Sequence, residues 1–122
     1  MVRIDLGRYR VVRVGLDEAF RFLRSLGELR GYTTDLREGI RYIENFDAFY
    51  QASRKRFRDY LVPLKDTRDM ILGKVTIDKV KLIQSEHGKE VEIVLDRRVP
   101  IDTIINALRN AGYDEVKVEE ES

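Results

Sequence analysis

From Leu36 onward, Ile40, Ile43, Phe46, Tyr50, Ser53, Phe57, Tyr60 and Leu64 recur at steps of three and four, the spacing that keeps one stripe of an α-helix apolar. The pattern predicts one long helix over 36–62, with Thr34 or Asp35 as its cap and Asp35 and Glu38 at capping-box spacing. Pro63 should end it, because proline lacks the amide donor and clashes with the preceding turn. Tyr42, Phe49 and Tyr60 widen the apolar arc to roughly half the circumference, beyond the ~100° that one packing face requires. Something must cover the excess: the preceding helix, a second copy of the chain, or a ligand.

The flanking segments read as strands and shorter helices. Arg8 to Val14 is β-rich and ends at Gly15, and Val2, Ile4 and Leu6 suit a short additional strand. Leu16, Phe20, Leu23 and Leu26 recur at helical spacing up to Gly27 or Gly31, with Asp17 and Glu18 at the positive end. Residues 63–72 suit a short helix with Pro63 in its first turn and Gly73 past its end. Strand alternation from Lys74 to Gln84 shifts phase near Asp78 and Lys79, the sign of a bulge. A turn at Ser85–Lys89 leads to a returning strand with Val91, Ile93 and Leu95. Pro100 opens a helix, Gly112 closes it, and Tyr113 to Glu119 forms a last strand with Val116 and Val118 inward.

This order predicts an α+β fold in one domain over 1–122: an antiparallel sheet with helices on one face, compatible with a ferredoxin-like βαββαβ arrangement whose first crossover carries a long helical insertion. At this length, roughly two-thirds of the unfolded surface can be buried, enough for one core.

Composition narrows the function classes. With no cysteine, the 122 residues cannot form disulfides, thiolate metal sites or cysteine nucleophiles. No apolar stretch approaches the roughly 20 residues of a membrane span, and Met1–Asp5 lacks the start of a signal peptide, so a cytoplasmic location without membrane association is expected. Charged residues make up 37%, with arginine ahead of lysine, which resembles the ion-pair-rich surfaces of thermophile proteins.

Catalytic patterns are weak. None of Ser25, Ser53, Ser85 or Ser122 lies in a Gly-x-Ser-x-Gly turn, and His87, in a turn beside Glu86, is the single histidine. Gly-x-Gly-x-x-Gly and Gly-Lys-Ser/Thr are missing, so no nucleotide cofactor is expected. Glu44 with Asp47, and Asp66 with Asp69, share helix faces at i, i+3 spacing that a hard cation could use. Arg41 and Arg68 stand near enough to neutralise them as surface ion pairs, and no metal site is expected.

The overall charge of +1 conceals an asymmetry, +4 over residues 1–60 against −3 over 61–122. Within the basic half, Phe46 to Tyr60 interleaves five aromatics with Arg54, Lys55, Arg56 and Arg58. Single-strand binding uses this mixture, aromatic faces for stacking bases and cations that follow phosphates. The expected function is therefore a small non-catalytic domain binding single-stranded DNA or RNA, through a basic and aromatic helix and cleft formed by Arg54, Lys55, Arg58, Phe49, Tyr60 and Arg13. An RRM-type sheet surface is not expected, because Glu92, Val94 and Asp96 would face outward. The alternative is a homo-oligomeric interaction or regulatory subunit whose interface is the aromatic arc, without a nucleic-acid role.

Overall fold

Alternating burial in the first strand sets the frame of the molecule. In the computed structural model, which describes residues 2–6 and 10–119, β1 (Val2–Asp5) buries Val2 and Ile4 and exposes Arg3 and Asp5. It turns back against β2 (Arg10–Gly15), pairing Ile4 with Val12. Arg8 and Tyr9 of the expected first strand, and the glutamates after Glu119, lie outside the described residues.

The chain continues through α1 (Leu16–Arg30), α2 (Thr34–Glu44), α3 (Phe46–Lys55), α4 (Thr67–Ile71), the hairpin β3 (Ile77–Ser85) and β4 (Gly88–Leu95), then α5 (Ile101–Asn110) and β5 (Val116–Glu119). The strand order is β3-β4-β2-β1-β5, antiparallel except where β1 and β5 run parallel. The fold is α+β, but the sheet is mixed, and the ferredoxin-like arrangement is not the one formed. β1 is the reason: by folding back on β2 it takes the place beside that strand, so the last strand pairs with β1 instead.

The face carrying Ile4, Val12, Val14, Val91, Ile93, Val80 and Leu82 shares one core with Phe22, Leu23 and Leu26 of α1, Leu36 and Ile43 of α2, and Ile104 and Leu108 of α5. In α1 the buried stripe is centred on Phe22 rather than Phe20, which is only half-buried. A Cβ on Gly39 would come within 2.5 Å of Ile77 Cδ1, so this glycine lets α2 lie close against β3. The expected bulge is present as a register shift between Ile77 and Lys79. The hairpin turns at Glu86 and His87, with Gly88 at φ 111°. Val118 is 37% exposed rather than inward.

The long helix of the sequence pattern is broken. Asn45, at φ −117° and ψ 43°, ends α2 and starts α3, and α3 stops at Lys55. Its C-terminus closes as a Schellman motif: Arg58 N donates to Ser53 O at 3.0 Å and Phe57 N to Arg54 O at 3.1 Å. Phe57 occupies the left-handed position normally held by glycine, at φ 54°. Residues 58–66 therefore leave the helix, and Leu61 bridges to Val80 on the outer edge of β3. Pro63 lies before α4, whose cap is Asp66.

Asp35 is not a cap either. Thr33 takes that position without a side-chain bond, while the fully buried Asp35 reaches across to β3, where its Oδ2 accepts from Thr76 N at 2.8 Å and Ile77 N at 2.7 Å. Asp35 Oδ1 and Thr33 Oγ1 are buried without a hydrogen-bond partner among the described residues. The carboxylate thus ties the start of α2 to the start of β3. From the other side Arg30, ending α1, donates to Thr76 Oγ1 and the carbonyls of Gly73, Lys74 and Val75. Burial holds the Arg30 guanidinium below its ordinary pKa, against the opposing charges of Asp96 and Asp35.

Candidate nucleic-acid interface

The break at Asn45 and the exit at Phe57 decide where the aromatic arc goes. Tyr42 and Phe46 enter the core, Phe49 and Tyr50 are half-buried, and Phe57 is 95% exposed. Tyr42 meets Phe49 edge to face at 4.8 Å, and Phe46 stacks on Tyr50 at 5.7 Å. α1 packs on α2, and the returning segment 58–62 lies over α3 and β3, so most of the excess arc is covered by the chain itself. Ser53 is a small residue in that stripe, buried with its hydroxyl donating to Tyr50 O at 2.8 Å.

Three shallow hollows surround the end of α3. One of about 300 Å³ lies between Arg41, Phe49, Arg56, Arg58 and Leu61. A second, of about 220 Å³, runs along β3 between Arg54, Arg58 and Asp59 on one side and Lys81–Gln84 on the other. The third opens at Ser53, Arg54, Phe57, Arg58 and Asp59, three of them charged and two of those cationic. Cations already sit on rings here: Arg41 lies 5.2 Å from the Phe49 centroid and Arg54 lies 5.7 Å from that of Tyr50, whose hydroxyl accepts from Arg54 Nη1 at 3.2 Å. Among the described residues, none of Arg54, Lys55, Arg56 and Arg58 has a carboxylate within ion-pair distance. A run of unpaired cations with one fully exposed ring is a surface suited to a polyanion with flat faces.

Compared with known protein families, curated proteins and solved structures, the chain matches none.

The structure brings Phe49, Arg54 and Arg58 to these hollows, with Lys55 exposed at the helix end outside them. Tyr60 stands apart on the open face of the sheet, because Leu61, its neighbour, points to the core side. The Tyr60 hydroxyl donates to Glu92 Oε2 at 2.6 Å, and Lys79 Nζ lies 4.4 Å from its ring centroid. That bond to Glu92, then burial and the Glu92 charge, push the Tyr60 hydroxyl up to about 12. Arg13 lies on the same face and is tied to Glu90 at 3.2 Å, so it does not join the hollows. Val94, expected outward, is 2% exposed, and Asp96 pairs with Arg98 at 3.1 Å. Burial alone would raise the Asp96 carboxyl, but bonds from the Arg98 side chain and backbone, with the Arg98 and Arg30 charges, hold it below its ordinary value.

Sequence reasoning missed three participants. Arg41 pairs with Glu38 rather than Glu44, and it presents its guanidinium to Phe49. Phe57 looked like a core residue, because the pattern continued through it. Arg56 completes the basic cluster on the side facing Phe49. The carboxylate pairs also separate: Asp47 bonds Lys89 at 2.8 Å and Asp66 caps α4. Among the described residues, no group of three or more His, Cys, Asp or Glu could hold a metal ion, and no helix is long and apolar enough to cross a membrane. His87 lies exposed in the hairpin turn.

Proposed function

We propose that this chain is a small non-catalytic domain that binds single-stranded DNA or RNA at the end of α3, by stacking bases on Phe57 and neutralising phosphates with Arg54, Arg56 and Arg58. One observation carries the reading: the Phe57 ring is 95% exposed on a backbone at φ 54°, flanked by unpaired guanidiniums. A phenyl group fully in water gains nothing for the fold, and a non-glycine residue in the left-handed region costs about 1–2 kcal/mol. Retaining a strained, solvated aromatic is understandable where its face is used.

The binding mode is one of stacking and charge, the sequence-tolerant way of holding a single strand. The open sheet face contributes less, because Arg13 is tied to Glu90 there and Glu92, opposite Arg13 and Lys81 in the ladder, adds a second negative charge. The alternative interface on the aromatic arc has less support, because Phe49 and Tyr60 are half-buried against the chain's own residues.

The test is titration of a labelled single-stranded oligonucleotide at two salt concentrations. Affinity should fall as salt rises, with a slope corresponding to about three neutralised phosphates, roughly −0.7 per contact. Binding that is absent at low salt, or indifferent to salt, removes the proposal. Replacing Arg54, Arg56 and Arg58 together with Gln should abolish the salt dependence.

A further inference from the structure

β3 is the outermost strand on its side of the sheet, and part of its outer edge is unused. Val80 exchanges both backbone bonds with Leu61, at 2.7 and 2.9 Å, so its N–H and C=O point away from β4. At the two-residue period of a strand, those of Leu82 and Gln84 point the same way. Continued in register, Asp59 would stand opposite Leu82, yet no bond joins them. Among the described residues the backbone N–H and C=O of Leu82 and Gln84 have no partner. Such groups ordinarily find one.

The chain leaves a gap at this place. Residues 58 and 59 diverge from β3, and the hollow of about 220 Å³ lies between them and Leu82–Gln84. It shares Ser53, Arg54, Arg58 and Asp59 with the hollow at Phe57, so the two adjoin on one surface. The space is below the roughly 300 Å³ at which pockets for drug-sized ligands begin, and suits one ring system. A further peptide strand fits it poorly. Only Leu82 and Gln84 remain free before the turn at Glu86, and charged side chains of Arg54, Arg58 and Asp59 stand beside the edge, a common guard against strand pairing.

The free groups match the edge of a nucleobase. Leu82 O accepts and Gln84 N donates, two positions apart on the same side of the strand. Every common base has a donor beside an acceptor on its Watson–Crick edge: N6–H and N1 in adenine, N4–H and N3 in cytosine, N3–H and O4 in thymine and uracil, N1–H and O6 in guanine. In a duplex these atoms are already paired, whereas in a single strand they are open to protein groups. We infer that the hollow beside β3 is a base subsite, where Leu82 O and Gln84 N take the Watson–Crick edge of the nucleotide next to the one stacked on Phe57. Arg54 and Arg58, common to both hollows, hold the phosphate between the two bases. Asp59 disfavours a phosphate inside either hollow, so the uncharged base is the part that enters. The subsite rests on the single-strand reading above and adds what it selects: unpaired bases, of any identity.

Titration of the full chain with labelled oligothymidylate, plain or with every thymine methylated at N3, tests the subsite. The methyl group removes the donor meant for Leu82 O but leaves ring stacking and phosphates in place. The wild type should bind the methylated strand about tenfold more weakly, with the same salt slope. Gln84→Pro deletes the amide donor at an edge position that proline tolerates, and should bind both strands alike, at the weaker level. Gln84→Ala keeps the backbone groups and should bind as wild type. If the wild type binds the plain strand in a salt-dependent way and does not distinguish the methylated one, the subsite is overturned and the single-strand reading stands. If neither strand binds at low salt, that reading falls and the subsite with it. A folded Gln84→Pro that still discriminates overturns the placement at the β3 edge; the wild-type comparison decides on its own if that variant does not fold.

Discussion

Replacing Phe57 with glycine should stabilise the fold and impair binding at once. The backbone at φ 54° carries the Schellman bonds from Phe57 N and Arg58 N, so the left-handed geometry is required whichever residue stands there. Relief of the L-residue penalty is worth about 1–2 kcal/mol. Glycine returns about 0.5–1 kcal/mol of that through the greater freedom of its unfolded chain. With 95% of Phe57 in solvent, almost no burial is lost. The net is a gain of about 0.5–1 kcal/mol, or roughly 2–5 °C in Tm for a domain of this size. Stacking one base on an aromatic ring contributes about 1–3 kcal/mol, so oligonucleotide affinity should fall about five- to hundredfold in the same protein. Phe57→Ala separates the two effects: it removes the ring but keeps the strain, giving the affinity loss without the gain in stability. Urea unfolding and oligonucleotide titration on the three proteins are sufficient. If Phe57→Gly is destabilising, the ring has a structural role that its exposure conceals; if it is more stable but binds as wild type, the ring is not the stacking surface.

Asp35→Ala should be the most damaging single truncation of a side-chain polar group, leaving the buried amides of Thr76 and Ile77 without an acceptor at a cost of about 2–5 kcal/mol in urea unfolding. Asp35→Asn keeps an acceptor oxygen and should cost less; a loss under about 1 kcal/mol for the alanine variant would refute the linchpin role. In an alkaline absorbance titration, one tyrosine should ionise near 12, and Glu92→Gln should bring it down toward the ordinary range. Because the folded pKa is raised, the Tyr60–Glu92 bond contributes its stability fully below the ordinary tyrosine pKa of about 10 and loses it as pH rises through about 12. Asp96 runs the other way: its depressed pKa gives stability above about pH 4 that disappears as the carboxyl protonates in acid, and Arg98→Met should flatten that acid limb of the unfolding curve.

How much of this was legible in the sequence depends on whether local pattern or distant partners decided each feature. The β3–β4 hairpin, the shift near Asp78, Gly88 in the turn, and Gly112 beyond α5 all follow from local alternation and glycine chemistry, and they formed where expected. The helix over 36–62 did not, because its stripe is satisfied equally by two helices joined at Asn45, and no proline or glycine marks the joint. Its true end falls at Phe57, a residue type that gives no warning of a left-handed conformation. Asp35 misled for a similar reason: at the start of a helix an aspartate reads as a cap, and only the β3 amides, distant in sequence, draw it away. Tyr60 joins the cleft only if the helix continues, and with α3 ending at Lys55 it falls on the open sheet face, where Arg13 stands on β2 opposite Glu92.

The asymmetry of charge along the chain takes a different meaning from this geometry. The excess of cations in residues 1–60 is not spread over a face, since Arg3, Arg13, Arg21 and Arg41 are each paired with a glutamate. Among the described residues Arg10, Arg24 and Arg37 also stand without an ion pair, each on a different element, whereas Arg54, Lys55, Arg56 and Arg58 gather at the α3 terminus, where the helix dipole already favours cations and where the chain must leave the helix. A C-terminal cluster of Arg and Lys is thus explained by helix stability alone up to Lys55. Arg56 and Arg58 lie beyond the last helical turn, and Arg58 belongs to the segment leading to β3, so a helix-dipole argument accounts poorly for them. Nor does it account for Phe57 between them, where glycine would serve the turn better. The three residues at 56–58 are therefore where local stability ceases to explain the sequence, and the binding measurement should be aimed there first.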